Sequence, residues 1–276
     1  MNDAVWDPSS DNDASERIEA NMRALWEFAG HGPDRTFHDD GCLACVTSGP
    51  FAWPSLCFHP RLNGVPLDPF LTGLCERIRA GQCPRVWIRG HDDGPLGLYE
   101  RLQAFGFQEV GRRPTMLFDL ASPRLERELP PVPGLEVRPL VSTAGLDEWL
   151  GIVSAAFFGG RDMGKALFAE HLLPSPRIRL YLARLDGQAV GTALLSLHAG
   201  VAGLHLVGVP ESHRRRGIAT RVTLQALRES QALGYKAAIL KSSPLGEGVY
   251  RSLGFQQVSR LIIYRWAGDQ PATGTS

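Results

Sequence analysis

Three consecutive arginines, Arg214–Arg216, stand directly before Gly217 in the stretch "VGVPESHRRRGIAT" (207–220). This pattern suits two kinds of chemistry: a basic patch for nucleic acid, or a turn that binds one phosphate group. A helix that begins near Gly217 would present N–H groups without intrahelical partners and the positive end of its dipole, and such a site binds phosphate readily. Gly217 lets the backbone approach an oxyanion that a Cβ would repel, and Ala219 is almost as small.

The charge balance of the chain separates these two alternatives. The 276 residues include 29 Lys+Arg and 29 Asp+Glu, which gives a formal net charge of zero. Domains that coat nucleic acid usually carry a large basic excess, and here no basic helix or interleaved aromatic residues accompany the arginines. We therefore predict a phosphate-binding turn and no nucleic-acid partner.

Composition and apolar runs indicate the broad class of protein. The chain is 43% hydrophobic and 21% charged, as in soluble globular proteins, and is long enough for two domains. No apolar run approaches the roughly 20 residues that span a bilayer. The acidic, polar beginning "MNDAVWDPSSDNDASERIEA" resembles neither a signal peptide nor a transit peptide. We expect a cytoplasmic protein without a membrane partner.

Hydrophobic periodicity places secondary-structure elements around the arginine turn. Predicted strands cover 135–140, 177–185, 188–198, 201–209, 236–243 and strands from Phe255 to Trp266; predicted helices cover 144–157, 162–172, the stretch from about Gly217 to Gly234, and a short segment ending at Leu253. Asp186-Gly187, between two predicted strands, is the strongest short hairpin signal. The pattern predicts a mixed α/β domain in which the turn connects a strand to a helix.

A second motif follows the predicted helix. The stretch "SSPLGEGVYRSLGF" (242–255) ends in Tyr-x-x-Leu-Gly-Phe. Together with Val207-x-Val209-Pro210 and Arg214-Arg215-Arg216-Gly217-Ile218-Ala219, it resembles the GNAT superfamily of N-acetyltransferases, whose acyl-CoA signature is R/Q-x-x-G-x-G/A at the start of the central helix. The resemblance covers about 135–267, and the two motifs at this separation are specific, which a lone RxxGxA would not be. It implies an α/β (α+β mixed sheet) fold with a central mixed β-sheet flanked by helices, and a final strand pair.

The resemblance also implies that acetyl-CoA is the cosubstrate and that no metal is needed. Backbone N–H groups from Arg215 through Thr220, which include those of Ile218 and Ala219, would hold the pyrophosphate, and the arginine side chains would line the rim. Main-chain groups of Val207 and Val209 would pair with the pantetheine arm where two parallel strands splay apart. Ser243 stands where many members of the family have asparagine.

Two side chains are candidates for proton transfer. Tyr250 resembles the family's common general acid, and a reference pKa near 10 leaves it protonated at neutral pH; the alternative is a half-buried aromatic under a helix. His205 has a reference pKa near 6.5, which suits a base. A structural or exposed His205, with deprotonation through an ordered water, is the open alternative. The implied reaction is direct attack of a primary amine on acetyl-CoA in a ternary complex.

The first half of the chain echoes the second. "PLGLYERLQAFGFQEV" (95–110) and "PLGEGVYRSLGFQQV" (244–258) share a proline, a short tyrosine-bearing helix and Gly-Phe-Gln-x-Val. We interpret this match as a duplicated domain, against the alternative that helix–Gly–strand connections look alike anywhere. The first half lacks R-x-x-G-x-G/A, and Pro66 and Pro69 remove backbone donors that a phosphate would need. We expect it to be a GNAT-like domain that has lost its cofactor site.

These observations predict four segments. Residues 1–125 form the degenerate domain, 126–134 a linker, 135–268 the catalytic domain and 269–276 a disordered tail. The acceptor is a small-molecule or peptide amine, whose specificity we assign to loops such as 157–176, and a homodimer is left open. The alternative function is a non-catalytic acyl-CoA-binding or regulatory module with the same fold, which the absence of an acid in strand 201–209 favours and Tyr250 opposes.

Five cysteines lie in the first half, and two of them, Cys42 and Cys45, form a Cys-x-x-Cys motif. No second pair follows at zinc-site spacing, so the motif is weak evidence for a metal or redox role. We interpret "CLACV" as a buried strand, in which free cysteine behaves as a small hydrophobic residue.

Overall fold

The computed structural model describes residues 4–8, 14–31, 35–48, 55–58, 64–90, 98–160, 173 and 175–268. The helices are α1 (Ala14–Gly30), α2 (Leu67–Arg79), α3 (Leu98–Ala104), α4 (Leu146–Phe157), α5 (Ile218–Ala232) and α6 (Glu247–Leu253). The strands are β1 (Arg35–Asp39), β2 (Ala44–Ser48), β3 (Leu56–Phe58), β4 (Val86–Gly90), β5 (Phe107–Asp119), β6 (Leu135–Pro139), β7 (Ile178–Leu185), β8 (Gln188–His198), β9 (Val201–Gly208), β10 (Ala237–Lys241) and β11 (Gln256–Trp266). Within the described ranges, no helix has the length and apolar character to cross a membrane.

The chain folds into two compact units that do not follow chain order. The C-terminal unit contains residues 1–25 and 114–258, and the N-terminal unit contains residues 26–113 and 259–276. The predicted division at 126–134 differs from this one, because residues from both ends of the chain join the opposite half. The functional assignment of 1–125 and 135–268 stays a prediction.

The C-terminal unit is built on a mixed sheet with the strand order β6-β7-β8-β9-β10-β5. All neighbours are antiparallel except β9 and β10, which are parallel. The β7–β8 hairpin turns at Asp186 (φ 50) and Gly187 (φ 85), two positive φ values that a two-residue type I′ turn requires. The mixed sheet flanked by helices that we predicted is confirmed.

One apolar face of this sheet packs on α5. The buried stripe Ile218, Val222, Ala226 and Leu227 meets strand residues such as Leu204 and Ala238. Ile218, Val222 and Ala226 recur at every fourth residue, as on one face of an amphipathic helix, so the sequence positions α5 against the sheet. This packing fixes the direction in which the N-terminus of α5 points.

The N-terminal unit repeats the same arrangement with shorter strands. Its order is β1-β2-β3-β4-β11, antiparallel except for the parallel β3–β4 pair. Its core contains Leu71, Leu74, Trp87, Leu102 and Tyr264. Each sheet has a run of antiparallel pairs, then one parallel pair and a final antiparallel pair, which agrees with the predicted duplication.

Each half of the chain contributes a strand to the unit of the other half. Residues 115–119 of β5 pair with β10, and residues 261–265 of β11 pair with β4. Both strands begin within the repeated Gly-Phe-Gln motif, at Phe107 and Gln256, so the exchange is reciprocal. The predicted strand pair between Phe255 and Trp266 is wrong: β11 is one continuous strand, because "QQVSRLIIYRW" contains no Gly, Pro, Asn or Asp at which the chain would reverse.

The predicted linker region packs along α5. Pro123–Glu126 form a turn of 3₁₀-helix in which Leu125 is buried. Arg221 Nη2 donates to the carbonyls of Leu129, at 2.8 Å, and Pro130. The proline-rich stretch is therefore held by side chains of the helix whose N-terminus is the candidate phosphate site. The predicted helix 162–172 and the tail 269–276 lie outside the described residues.

Candidate functional site

The arginine turn reverses the chain between β9 and α5. A 3₁₀ turn, Glu211–His213, follows β9, and the backbone is then left-handed at Arg215 (φ 61) and Gly217 (φ 76). Gly217 is the N-cap of α5 and has no side-chain cap. A Cβ there would have only Val132 within 4 Å, at 3.8 Å, so the requirement for glycine comes from its φ and not from crowding.

Six consecutive backbone amides at this turn have no hydrogen-bond acceptor among the described residues. Within the described part of the chain, the N–H groups of residues 215–220 donate no hydrogen bond to the protein, whereas the Arg221 N–H donates to the Gly217 carbonyl at 3.1 Å. Unpaired amides at a helix N-terminus, with the helix dipole behind them, bind oxyanions. The predicted pyrophosphate-binding residues therefore fit a diphosphate group.

The three arginines differ in what they contact. Arg214 folds back, and its Nε donates to the Val209 carbonyl at 3.2 Å. Arg215 and Arg216 are exposed, and no hydrogen bond or ion pair engages their side chains within the described residues. Two of the three predicted rim arginines are thus available to an anion, and Arg214 supports the turn. Ile218 is buried in the core, while Ala219 and Thr220 are half-buried.

β9 and β10 separate beside the turn, at the point where the sequence resemblance implies that two parallel strands splay apart. The parallel pairing of β9 with β10 runs from Ala202–Ala238 to Leu204–Leu240, and β9 then continues to Gly208. A bulge interrupts the β8–β9 pairing here, Leu206 has φ 50, and its carbonyl accepts from Thr192 Oγ1 at 3.0 Å.

The parted strand has a free backbone donor just beyond it. The Val209 N–H donates to no acceptor in the described chain. Val207 lies in the unpaired stretch, half-buried against the core. An extended ligand arm can therefore pair with the backbone of β9 at this point.

Tyr250 lies at the same edge of the sheet. It sits on α6, its ring is 8% exposed and packs edge-on against Phe255 with centroids 5.7 Å apart. A Cβ on Gly246 would lie 3.1 Å from Tyr250 Cε2 and 3.4 Å from Ser243 Oγ, so the ring adjoins the turn that follows β10. Because β9 and β10 are parallel, their carboxyl ends meet at this edge, which brings Tyr250 beside the gap.

The hydroxyl of Tyr250 keeps its proton. Burial raises the pKa of Tyr250 to about 12. No described residue forms a hydrogen bond with this hydroxyl. The hydroxyl of Ser243, by contrast, already has a partner within its own turn, because its Oγ accepts a hydrogen bond from the Gly246 N–H at 3.1 Å.

His205 lies on the last residues of β9 before the bulge and contacts a residue that the sequence did not suggest. Its Nε2 is 3.4 Å from Asn21 Oδ1. Asn21 Nδ2 faces the carbonyls of Ser196 and His198, both at 3.0 Å, and of Val201 at 3.3 Å. The amide orientation follows from these three acceptors, so Asn21 Oδ1 accepts from a protonated Nε2 of His205 and leaves Nδ1 as the unprotonated nitrogen.

The surroundings of His205 disfavour its protonated form. Burial, with the nearby positive charges of Lys241 and His198, lowers the pKa of His205 to about 3. The imidazole is neutral at pH 7, but its conjugate acid is far too acidic to hold a proton taken from an amine. A histidine with this pKa lacks the basicity that the predicted role of His205 as a base requires.

Two further residues lie near the gap: Lys241, which the sequence analysis missed, and Phe157, the first residue of the predicted acceptor loop 157–176. Lys241 ends β10, and burial lowers its pKa to about 8; its only sequence signal is a cation closing an apolar strand. Phe157, at the end of α4, would lie 2.8 Å from a Cβ on Gly208, so an aromatic ring covers the end of β9. Most of the predicted acceptor loop 157–176 lies outside the described residues.

Comparisons with known proteins agree with this geometry. Residues 147–255 match the model of the acetyltransferase (GNAT) family. Aminoglycoside N(6′)-acetyltransferase type 1 of Salmonella typhimurium is 28% identical over 132 residues, which are 44% of this chain and 91% of that protein. The protein of the same name from Salmonella enteritidis is 27% identical over the same shares.

Solved structures extend the likeness across both halves. A GCN5-related N-acetyltransferase from Kribbella flavida has a TM-score of 0.67 at 23% identity, covering 90% of this chain and 96% of its own. A tandem GNAT protein from the clavulanic acid biosynthesis pathway has a TM-score of 0.61 at 15% identity, covering 95% and 96%. At these identities the likeness establishes the fold alone, and that fold includes the tandem arrangement.

Proposed function

Since residues 147–255 form a domain of the GNAT family of acetyltransferases, we propose that this chain transfers the acetyl group of acetyl-CoA to the primary amine of a small molecule. The transfer is a direct attack in a ternary complex. The observation that carries the proposal is the run of six unpaired amides, residues 215–220, beside the gap between β9 and β10.

Acetyl-CoA would occupy the turn and the gap together. The amides bind the pyrophosphate, and the exposed Arg215 and Arg216 side chains add charge-assisted contacts. The backbone of Val207 and Val209 pairs with the pantetheine arm as an added strand. Ser243 contributes by holding the turn after β10, since its hydroxyl is already bonded to Gly246.

Tyr250 would donate to the departing sulfur. A tyrosine with a pKa of about 12 holds its proton throughout the neutral range, so a donor is always present when the thioester breaks. The hydroxyl has no bonding partner among the described residues and is free to turn toward the sulfur. Its contribution is stabilisation of the charge that develops on sulfur.

The proton of the attacking amine leaves through water in this proposal. His205, with a pKa of about 3, positions that water through its Nδ1 lone pair and does not retain the proton. Asn21 is the residue that orients the imidazole.

The acceptor class is a small-molecule amine, by analogy with relatives named aminoglycoside N(6′)-acetyltransferase. Phe157 at the end of β9 supplies an aromatic surface against which the body of the acceptor can pack. The choice among amines rests with loops such as 157–176.

The experiment is turnover of acetyl-CoA against a panel of amines, followed by release of free thiol. Aminoglycosides, simple polyamines, amino acids and short peptides form the panel. Thiol release that depends on an amine supports the proposal. Binding of acetyl-CoA without release by any amine would favour the non-catalytic acyl-CoA-binding module, which the weak basicity of His205 also favours.

A further inference from the structure

Three cysteines converge inside the N-terminal unit. Cys45 on β2 and Cys57 on β3 stand directly opposite in the antiparallel register, and their sulfurs are 3.1 Å apart. Cys83, in the connection between α2 and β4, joins the same core cluster. The partner of Cys45 is therefore Cys57, 12 residues away, and not Cys42 of the Cys-x-x-Cys motif.

The three thiols are electronically distinct. Hydrogen bonds from Cys45 and Cys57, with the charge of Arg77, lower the pKa of Cys83, against the opposing effect of burial. Hydrogen bonds with Cys45 and Cys83 and burial raise the pKa of Cys57 well above its usual value. Arg77 is held by Asp40 at 2.6 Å. Cys83 is thus the thiol of the group that loses its proton most readily, and a thiolate is the form that attacks.

Access also differs among the three. Cys83 is 6% exposed, Cys45 3% and Cys57 1%. Cys83 sits in a loop, while the other two sit in the middle of paired strands. A small oxidant would reach Cys83 first.

We propose that this cluster is a thiol oxidation site, in which a peroxide converts Cys45 and Cys57 to a cross-strand disulfide through Cys83. The backbone separation of directly opposed residues in an antiparallel pair, about 4.5–5.5 Å, lies in the range that disulfides span. No large movement of β2 or β3 is needed.

The chemistry balances over three steps. The Cys83 thiolate attacks hydrogen peroxide, the S–O bond forms as the O–O bond breaks, and hydroxide leaves and is protonated to water. Cys57 then attacks the sulfenic sulfur of Cys83, and its proton passes to the sulfenic oxygen, so that an S–S bond forms and a second water leaves. Cys45 attacks the Cys57 sulfur, and Cys83 leaves as the thiolate while the Cys45 proton is released. Two thiols and one peroxide give one disulfide and two waters.

The test is oxidation of the full-length protein with hydrogen peroxide, followed by thiol counting and peptide mapping. The five free cysteines are expected to fall to three. Chymotrypsin cleaves after Phe51, between the two cysteines, so mapping shows whether Cys45 is joined to Cys57. Retention of all five thiols, or a Cys42–Cys45 linkage, would overturn the proposal.

Variants test the order of attack. Cys83→Ser is expected to slow disulfide formation by at least about tenfold, because the attacking thiolate is gone. Cys42→Ser is the matched control, since the described residues give its sulfur no hydrogen bond, and it is expected to oxidise at the unaltered rate. Equal rates in Cys83→Ser and in the unmodified chain would refute the role of Cys83. The acetyl-transfer reaction takes no part in this readout, so the two proposals fail independently.

Discussion

Tyr250 combines a buried ring with a hydroxyl that forms no hydrogen bond with a described residue. The ring is fixed by Phe255 and by the backbone at Gly246. A hydroxyl without a bonding partner contributes little to folding stability. Removal of the Tyr250 hydroxyl oxygen can therefore lower activity without lowering the stability of the fold.

The Tyr250→Phe variant tests that separation. We expect turnover to fall about 10²-fold, at the lower end of what a positioned proton donor supplies, with the KM for acetyl-CoA and the unfolding midpoint nearly unchanged. Steady-state kinetics and thermal unfolding measure the two effects. Tyr235→Phe, beyond the far end of α5, is the matched control and is expected to retain full turnover; unchanged turnover in Tyr250→Phe would remove its role as donor.

His205 makes a prediction about pH. Its pKa of about 3 in the folded protein lies below its reference value of 6.5, so the unfolded chain binds more protons than the folded one between these values. Stability is therefore fully present above pH 6.5 and is lost as the pH falls toward 3. Between pH 6.5 and pH 5 the loss is about 1.5 kcal/mol.

The His205→Gln variant removes this titration. Its free energy of unfolding, measured with urea at several pH values, is expected to vary less between pH 6.5 and pH 5 than that of the unmodified chain. If kcat/KM of the unmodified chain falls at low pH, we expect kcat/KM of His205→Gln to fall at the same pH, because His205 is not the proton acceptor. A limb near pH 6.5 that disappears in His205→Gln would instead identify His205 as the base.

Among the elements, α6 and the turn before it position the donor. Gly246 has little room, since an added Cβ would lie 3.1 Å from Tyr250 Cε2, whereas a Cβ on Gly248 of the same helix would meet nothing within 4 Å. Alanine substitutions at these two glycines form a matched pair, because only the one at Gly246 adds a methyl group against Tyr250.

We expect Gly246→Ala to lower turnover several-fold by shifting the ring of Tyr250, since displacements under an ångström at a reacting group are costly. Gly248→Ala should leave turnover intact and stabilise the helix by up to about 1 kcal/mol. Kinetics of both variants decide the matter. Equal turnover in the two would mean that the ring position has no influence on the reaction.

Much of the C-terminal sheet and the site was predictable from the sequence. Asp186-Gly187 predicted its hairpin, and Gly217 marked the turn. The spacing of Ile218, Val222 and Ala226 predicted α5, although Leu233, expected on the same buried stripe, is 47% exposed. These features are local, and their physics is contained in a few neighbouring residues. The contact of His205 with Asn21 was not predictable, because 184 residues separate them and no pattern in α1 marks Asn21.

At the scale of the whole molecule, the halves depend on each other. β10 pairs with residues 115–119, which precede the predicted linker, and Asn21 of α1 bonds three carbonyls of the β8–β9 hairpin. The repeated Gly-Phe-Gln motif predicted a strand in each half. The residues of a strand do not determine which other strand it pairs with, so the pairing of β5 with β10 was not predictable.

Truncation tests this dependence. A chain that begins at residue 135 lacks the strand that pairs with β10, while a chain that begins at 114 retains it. We expect the shorter chain to have the lower unfolding midpoint in urea, because it leaves an unpaired sheet edge. Identical midpoints for the two chains would show that the exchanged strand adds nothing to the stability of the C-terminal unit.

The most direct measurement is calorimetric titration of the full-length protein with coenzyme A at low salt, beside Gly217→Glu and Gly234→Glu. Both glycines have positive φ, at 76° and 87°, at the two ends of α5, so the strain of substitution is matched. Only Gly217→Glu places a carboxylate among the unpaired amides, and it is expected to weaken binding at least about tenfold, a cost of about 1.4 kcal/mol, while Gly234→Glu binds like the unmodified chain. Failure of the unmodified protein to bind coenzyme A, or equally tight binding by Gly217→Glu, would contradict a role of the turn in binding the diphosphate.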